Sequence, residues 1–412
     1  MQRATQPRIE AIFREEYGRS VSVLIGVLGD IDRAEDAVQE AFIEALRTWP
    51  DKGLPPSPPG WIITTARNRA IDKIRRESTR DVRHQQAFLL DGRLTQEGAD
   101  AMVDDTEIPD DRLRLIFTCC HPALSEPARI ALTLKLIGGL TVAEVARAFL
   151  VPESTVAQRI VRAKNKIKTA NIPYRVPESA ELLDRLGSVL AVVYLIYTEG
   201  HTASVGSQLT RIDLSAEAVR LGRVLATLMP DEPEVLGLLA LMLLGEARRP
   251  ARTTADGDLV PLAEQDRSLW DRELALEGHE LVVHCLRRGQ PGRYQLQAAI
   301  AATHAAAPSA DRTDWTQILA LYDGLYALTP TPVVALNRAV ALAQVSGPET
   351  ALEEVEELGM DGFHLWHATR AHLLGQLGRT TDSAAAYRQA AELTDNAAER
   401  RHLLGHADSP RP

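Results

Sequence analysis

The sequence predicts an all-α protein with more than one domain. Aromatic residues make up only 5% of the 412 residues, while alanine and leucine are abundant, a composition that favours helices over strands. Apolar residues recur at the three- and four-residue spacing of amphipathic helices along most of the chain. A chain of this length also exceeds the roughly 250–300 residues that one hydrophobic core usually serves, so at least two domains are expected.

The composition is typical of a soluble globular protein, with 45% hydrophobic and 25% charged residues and a net charge of −10. Such an acidic chain would confine nucleic-acid binding to local basic patches. The sequence Cys119-Cys120-His121 lacks zinc-ligand spacing, so we expect buried cysteines at a helix end and no metal. There is no signal-peptide core and no apolar run of membrane-spanning length. These features predict a cytoplasmic protein in a reducing compartment, without a cofactor or membrane contact.

Residues 139–168 contain the most specific local motif of the chain. Thr141 and Glu144 have the spacing of a capping box at the start of a helix, and Val151-Pro152 should end that helix. Ser154 is a suitable N-cap for a second helix. One face of this second helix is apolar and consists of Val156, Ile160, Ala163 and Ile167.

The opposite face of the second helix is polar and basic. It consists of Thr155, Gln158, Arg159, Arg162 and Lys166. No acidic residue lies between Ser154 and Val176, although the chain as a whole is acidic. Two short helices with a basic outer face on the second are typical of a helix-turn-helix whose second helix enters the DNA major groove. The alternative is an ordinary helical hairpin with a solvated basic face.

An acidic strip is predicted on a helix nearer the N-terminus. After a first amphipathic helix over 9–28, a second helix is expected over 32–49, with Asp32 as its cap and Leu46 widening its buried face. The outer face of this helix includes Asp32, Asp36, Gln39, Glu40 and Glu44. This strip is either solvated surface or the docking site of a basic partner.

A proline-rich connector over Pro50–Pro59 should exclude helix, and a third helix then begins at Gly60. Its polar face includes Trp61, Thr65, Asn68, Asp72, Arg75 and Arg76. An exposed indole, an amide and two guanidinium groups suit stacking, base-edge hydrogen bonds and phosphate contact. The alternative is that the indole packs into the core and that Asp72 merely pairs with Arg76.

The remainder of the chain divides into an acidic linker over 78–111, further helices over 112–175, and a long helical segment over 176–412. In this last segment Arg338-Ala339 and Arg370-Ala371 are 32 residues apart, and Ala351 and Ala384 are 33 apart. This period resembles tetratricopeptide (TPR) repeats, which bind peptides or proteins. His364 and His367 are best explained by helix packing. No phosphate-binding loop, nucleophile elbow or zinc-protease motif occurs, which predicts a protein that is not an enzyme.

The chain resembles the extracytoplasmic-function (ECF) sigma factors of bacterial RNA polymerase. Residues 32–46 and 60–76 look like sigma region 2, within a domain over 1–77, and residues 112–170 look like region 4. The stretches 117–167 and 194–200 and the tripeptide Asp361-Gly362-Phe363 resemble a subgroup with a large TPR-like C-terminal extension. The resemblance implies core RNA polymerase and promoter DNA as partners. It also suggests that this extension, in place of a separate anti-sigma factor, regulates the protein and binds a peptide or protein ligand.

The resemblance also implies roles for individual residues. The residues that would dock on core polymerase are Asp32, Asp36, Gln39 and Glu40. Recognition and melting of the −10 element would fall to Trp61, Asn68, Arg69, Asp72, Lys73, Arg75 and Arg76. Reading of the −35 element would fall to Thr155, Gln158, Arg159, Arg162 and Lys166. Many ECF factors have lysine at the position of Ala157 and serine at Gln158, so their promoter sequences do not carry over.

Two other functions are compatible with parts of the sequence. An ordinary helix-turn-helix transcriptional regulator with a TPR-type sensor would need neither the acidic strip nor the Trp61–Arg76 helix. A repeat scaffold with incidental basic patches would not show DNA binding that weakens strongly with salt.

Overall fold

The computed structural model describes residues 6–80, 108–149, 151–203, 205–206, 209–255 and 257–408. It confirms the all-α class: within these ranges the elements are helices, short 3-10 turns and one pair of two-residue parallel strands, β1 (Val205–Gly206) and β2 (Asp395–Asn396). The chain forms two compact units, Met1–Val192 and Val193–Pro412. The predicted acidic linker lies mostly outside the described residues, although 78–80 still belong to a helix and Ile108 begins the next one.

The first three helices of the first unit pack on one another. They are α1 (Gln6–Leu28), α2 (Ile31–Lys52) and α3 (Pro58–Arg80). Apolar side chains form their common core, as the sequence predicts, with Val21, Phe42 and Ile62 buried. The N-cap of α2 is Asp30 and not Asp32, because the Asp30 carboxylate accepts a hydrogen bond from the backbone N–H of Arg33 at 3.0 Å.

The prediction that Pro50–Pro59 excludes helix was wrong at both ends. Pro50 lies in the last turn of α2, where its fixed φ is compatible with the helix and its missing N–H removes one hydrogen bond close to the helix end. Pro58 and Pro59 occupy the first two positions of α3, where backbone N–H groups have no partner within the helix. The connector is therefore shorter than expected, from Gly53 to Ser57.

Four helices follow in the first unit, with the bounds α4 (Ile108–Cys119), α5 (Glu126–Leu136), α6 (Val142–Ala148) and α7 (Glu153–Thr169). The capping box before α6 is confirmed: Thr141 N–H donates to the Glu144 carboxylate at 2.7 Å, and Glu144 N–H donates to the Thr141 hydroxyl at 3.1 Å. The N-cap of α7 is Pro152 and not Ser154, since the extended backbone of Pro152 directs its carbonyl at the N–H groups of Thr155 and Val156.

The predicted burial of this part of the chain is confirmed. The four residues of the apolar face of α7, Val156, Ile160, Ala163 and Ile167, are buried. Cys119 and Cys120 are buried at the end of α4, where the Cys120 thiol lies 3.4 Å from the Thr133 hydroxyl. Burial raises the pKa of Cys120 to about 11, so its thiol is neutral near pH 7 and serves as a small core residue.

The second unit is a succession of helices in which neighbours along the chain pack together. The boundary between the units falls inside α8 (Ser179–His201). The remaining helices are α9 (Ile212–Leu228), α10 (Pro233–Ala247), α11 (Arg272–Leu286), α12 (Arg293–Ala306), α13 (Trp315–Leu328), α14 (Pro332–Ser346), α15 (Pro348–Leu358), α16 (His364–Gln376), α17 (Thr380–Leu393) and α18 (Ala397–Asp408). 

The 32-residue period is visible in the helix bounds of the second unit. Helices α14 and α16 begin 32 residues apart, as do α15 and α17, so Arg338-Ala339 and Arg370-Ala371 occupy equivalent positions. The match of Ala351 with Ala384 was wrong by one residue. Ser383 is the equivalent of Ala351, and both are buried.

Candidate functional site

The acidic strip of α2 is mostly exposed and has an apolar component that the sequence analysis missed. Asp32, Asp36 and Gln39 are exposed, and Glu40 is half-buried. Ile43 is 66% exposed on the same side of the helix, three residues after Glu40. Leu46, expected in the buried face, is 46% exposed. A mixed acidic and apolar surface of this kind suits a protein partner better than solvent alone.

Ion pairs connect α2 with cations of α3. The Lys73 ammonium group lies 3.1 Å from the Asp36 carboxylate, and the Arg69 guanidinium lies 3.0 Å from the Glu44 carboxylate. Between these helices is a small pocket lined by Arg33, Ala37, Glu40, Arg69, Ala70, Lys73 and Ile74. The structure thus brings two of the residues assigned to the −10 element beside the acidic strip.

The polar face of α3 is largely open to solvent. Asn68, Arg69, Asp72, Lys73, Arg75 and Arg76 are all exposed. Trp61 is only half-buried, and its indole meets the buried Trp49 edge to face with 5.2 Å between ring centroids. The Trp61 indole is therefore packed against the core on one side and open to solvent on the other, and its contact with nucleic acid stays a prediction. Asp72 and Arg76 are both exposed, so an ion pair between them would contribute little to stability.

The outer face of α7 presents its polar and basic side chains together. Gln158, Arg162 and Lys166 are exposed, while Thr155 and Arg159 are half-buried at the edge of the same face. The helix follows α6 after a tight turn, as a helix-turn-helix requires. The arrangement provides amide and guanidinium donors on a convex helix, the groups that read base edges in a major groove.

One lysine of α7 points away from this face. The ammonium group of Lys164 is 15% exposed and lies 2.6 Å from the Asp32 carboxylate and 2.7 Å from the Glu35 carboxylate, both on α2. Lys135 of α5 lies 2.7 Å from the second oxygen of Glu35. No local spacing predicts this pairing, because Glu35 and Lys164 lie 129 positions apart on different helices. The position of Glu35 could have indicated its burial, since it lies between Ala34 and Val38, which both belong to the buried face of α2.

The pKa values of Glu35 and Lys164 are set by their burial and by the charges next to them. Burial alone would raise the pKa of Glu35, but the ammonium groups of Lys135 and Lys164 outweigh burial and lower it. Burial alone would lower the pKa of Lys164, but the Glu35 and Asp32 carboxylates raise it. Burial and the nearby Glu35 charge together raise the pKa of Tyr17. Glu35 and Lys164 are therefore both charged near neutral pH, whereas Tyr17 is neutral.

In the second unit, the tripeptide Asp361-Gly362-Phe363 forms the turn between α15 and α16. Asp361 and Gly362 are exposed, whereas Phe363 packs against the core that surrounds the buried Trp366. The carbonyl of Asp361 lies 2.8 Å from Nε2 of the buried His367, which fixes the turn. The His367 ring thus has a structural role, as the sequence predicted.

Buried polar side chains lie in and beside the 194–200 stretch. The Tyr197 hydroxyl lies 3.1 Å from Nδ1 of His201, and Arg252 donates to the His201 carbonyl at the end of α8. Burial lowers the pKa of His201 to about 4 despite the nearby Glu246 carboxylate.

The described residues contain no group of three or more His, Cys, Asp or Glu side chains that could hold a metal ion. None of the described helices is long and apolar enough to cross a membrane.

Models of three protein families match different parts of the chain. Residues 12–80 match the model of Sigma-70 region 2, and residues 114–167 match that of Sigma-70, region 4. Helices α2 and α3 lie within the first match, and α6 and all but the last two residues of α7 lie within the second. Residues 185–286 match a family of unknown function, DUF6596.

Similar proteins cover either nearly the whole chain or between 34% and 39% of it. "Uncharacterized protein R00370" of Rhizobium meliloti is 43% identical over 392 residues, which cover 95% of this chain and 93% of that protein. ECF RNA polymerase sigma factor SigK of Mycobacterium ulcerans is 31% identical over 146 residues, 34% of this chain and 74% of SigK. SigK of Mycobacterium tuberculosis is also 31% identical, over 170 residues that cover 39% of this chain and 85% of SigK.

Proposed function

Because the chain belongs to the family of ECF RNA polymerase sigma factors, we propose that it binds core RNA polymerase, recognises and melts promoters, and is regulated by its own C-terminal unit. The observation that carries this proposal is the joint exposure of the α2 strip and the polar face of α3 within the region 2 match. A regulator that used only a helix-turn-helix would require neither surface. Transcription initiation of this kind needs no catalytic residue of its own in this chain.

Core polymerase would dock on the strip that contains Asp32, Asp36, Gln39 and Glu40. The exposed Ile43 beside Glu40 adds apolar area to this strip. Charged residues at the rim of an interface steer association, while buried apolar anchors supply much of the binding free energy. We therefore assign the polymerase-binding surface to the acidic residues together with Ile43.

The −10 element would bind the exposed face of α3. Taking bases out of a duplex costs a few kcal/mol for each stacking step, which contacts to the separated strand must offset. Arg75 and Arg76 at the end of the face would bind the backbone, and Asn68 would reach a base edge. Trp61, held by Trp49, has only part of its indole free for stacking.

The −35 element would bind the outer face of α7, through Thr155, Gln158, Arg159, Arg162 and Lys166. Amide and guanidinium groups can form bidentate hydrogen bonds with adenine and guanine edges, whereas a lysine at the end of the face suits a phosphate. Substitutions of the base-reading residues should therefore change the DNA sequence preference, whereas substitution of Lys166 should weaken binding to all sequences alike.

The C-terminal unit would act as a regulatory domain of TPR-like architecture with a peptide or protein ligand. The 32-residue period of α14–α17 and the packing of successive helices support this proposal. Asp361 and Gly362 are candidates for regulatory contacts, since both residues are exposed at the turn between α15 and α16.

Gel filtration of the full-length protein with core RNA polymerase tests the proposal. We expect a stable complex with core polymerase on the column. In a separate cleavage experiment, this complex should protect a −10 and a −35 region of promoter DNA. DNA binding by the protein without any complex with core polymerase would instead favour an ordinary helix-turn-helix regulator.

A further inference from the structure

The last helix of the second unit returns to the beginning of that unit. Strand β2, directly before α18, pairs in parallel with β1, and Val205 lies opposite Asp395. Strand β1 belongs to the DUF6596 match over 185–286, whereas β2 and α18 lie outside it. A segment from the far end of the unit therefore completes the region that matches DUF6596.

The buried side chain of Asn396 holds this junction in two ways. Its amide nitrogen donates a hydrogen bond at 2.8 Å to the backbone carbonyl of Ala203, which lies 193 positions earlier. Its amide oxygen accepts hydrogen bonds from the N–H groups of Ala398 at 2.9 Å and Glu399 at 3.2 Å, and so caps the start of α18. The residue is 0% exposed, so water would not replace a lost partner. The hydrogen bond to Ala203 therefore favours the closed junction.

A loop from the first part of the unit also reaches α18. This loop folds back on itself, since the Val260 N–H donates to the carbonyl of Arg252 at 2.8 Å. Near its tip, the Asp258 carboxylate lies 2.8 Å from the guanidinium of Arg401 on α18. At its base, the Arg252 side chain donates to the carbonyl of His201 at the end of α8. The end of α8, this loop and α18 thus meet at one place, which we call the seam.

The seam also contacts the helix that follows the Asp361-Gly362-Phe363 turn. Nε2 of His364, the first residue of α16, lies 3.5 Å from the Glu399 carboxylate of α18. The Thr394 hydroxyl donates to the same carboxylate oxygen at 2.8 Å. Because the N–H of Glu399 is also capped by Asn396, a rearrangement of Asn396 would be felt at the start of α16. The seam thus connects the end of α8 with the turn before α16.

Different kinds of contact hold the two sides of α18. Toward α17, Leu403 packs with Ala390 and Ala391 in a buried apolar cluster. Across the seam, the contacts described above are hydrogen bonds and an ion pair between Asp258 and Arg401, whose side chains are 50% and 51% exposed. Exposed ion pairs add little stability, and segments with few buried apolar contacts open more readily than a core. The second unit can therefore open at the seam while α18 stays packed on α17.

We propose that β2 and α18 form a clasp that closes the second unit, and that regulation by this unit works through opening of the seam. The regulatory part rests on the proposed function, whereas the clasp itself does not. When the clasp is closed, the end of α8 is fixed relative to the turn before α16. When it is open, these two segments move independently. A ligand that binds only one of these states would shift the balance between them.

Hydrogen exchange in the full-length protein tests the clasp directly. Asn396→Asp keeps an oxygen that caps α18, because aspartate and asparagine are equally good N-caps, but it replaces the donor to Ala203 with a carboxylate oxygen. Peptides that cover Ala203 and Asn396 should exchange roughly tenfold faster in this variant than in the parent, since a buried hydrogen bond across the seam is lost. Asn337→Asp makes the same change at an exposed position of α14 and should match the parent.

A disulfide across the strand pair supplies the second measurement. Val205 and Asp395 lie opposite each other on paired strands, whose Cα atoms are roughly 5 Å apart, within the range that a disulfide spans. Val205→Cys with Asp395→Cys should crosslink within one chain on mild oxidation, and the native cysteines are buried and should not compete. The crosslink should also restore slow exchange to the Asn396→Asp variant. With core polymerase, transcript yields of the crosslinked and reduced forms should differ roughly fivefold or more.

Each outcome decides one part of the proposal. Fast exchange around Ala203 and Asn396 in the parent, or failure of the cysteine pair to crosslink, would overturn the clasp, as would parent-like protection of Asn396→Asp. Equal transcript yields from the crosslinked and reduced forms would overturn the regulatory part alone. Failure of every form to bind core polymerase would overturn the proposed function, while the exchange and crosslinking results would still decide the clasp. Thermal unfolding identifies any loss of fold, in which case crosslinking in the Asn396 background of the parent remains decisive.

Discussion

The Lys73 ammonium group lies 3.1 Å from the Asp36 carboxylate, which joins a residue assigned to the −10 element to one assigned to core polymerase. Both side chains are about half exposed, at 49% for Lys73 and 59% for Asp36. An exposed pair of this kind contributes little to stability, about 0–1 kcal/mol. The pair therefore adds little to folding, and a substitution at Asp36 tests its proposed role in polymerase binding.

Substitution of Asp36 should weaken polymerase binding and leave the stability of the fold nearly unchanged. We expect Asp36→Ala to weaken core-polymerase binding roughly fivefold, about 1 kcal/mol, because a charge at the interface rim is lost. The free energy of unfolding should change by less than about 0.5 kcal/mol. Titration of labelled protein with core polymerase measures the first quantity and urea unfolding the second. Unchanged affinity would exclude Asp36 from the interface.

The end of α3 should be needed for promoter opening and not for core binding. We expect Arg75→Ala with Arg76→Ala to abolish open-complex formation, because two cations that would hold the separated strand are removed. Permanganate reactivity of unpaired thymines reports opening, and gel filtration reports core binding. The control Arg8→Ala with Lys52→Ala removes the same charge from exposed positions elsewhere in the first unit. Opening at the parent rate would show that this helix has another role.

Two residues of α7 should affect DNA binding differently. Arg162→Ala should cost about 1–3 kcal/mol on the preferred −35 sequence and reduce discrimination against altered bases. Lys166→Ala should weaken binding to all sequences similarly and lower the salt dependence by about one phosphate contact. Binding isotherms on a −35 fragment and on base-substituted fragments at several salt concentrations distinguish these outcomes. Equal losses on every sequence for both variants would contradict base reading by Arg162.

The turn between α15 and α16 contains two residues with separable roles. Asp361→Ala keeps the backbone carbonyl that lies beside His367, so unfolding should change by less than about 0.5 kcal/mol while transcript yield falls. Phe363→Ala removes a ring that packs on the core of the second unit and should cost about 1–3 kcal/mol. Parent-level transcription by Asp361→Ala would remove a regulatory role for this turn.

The second unit should lose stability in mild acid. Burial lowers the pKa values of His201 and His304 to about 4, so both rings are neutral in the fold. As the pH falls from about 6.5 to 4, the unfolded chain binds protons that the fold does not, and stability decreases. Each pKa unit corresponds to about 1.4 kcal/mol. Unfolding of His304→Gln measured at pH 7 and pH 5 should show a smaller decrease than the parent, and an equal decrease would contradict this assignment.

Local features of this protein could be predicted from sequence more completely than long-range ones. The Thr141–Glu144 capping box and the buried face of α7 depend on residues a few positions apart, and the structure confirms both. The pairing of Glu35 with Lys164 joins residues 129 positions apart, which no local pattern reveals. Leu46 has the right spacing for burial, but the packing of neighbouring helices leaves it exposed.

Transcription in vitro by the purified full-length protein with core RNA polymerase tests the central claim most directly. The template would be the DNA upstream of its own coding sequence. We predict core binding and one specific transcript whose start lies downstream of matched −10 and −35 regions, and no such transcript from core polymerase alone. Binding to the DNA without core binding and without a specific transcript would contradict the account.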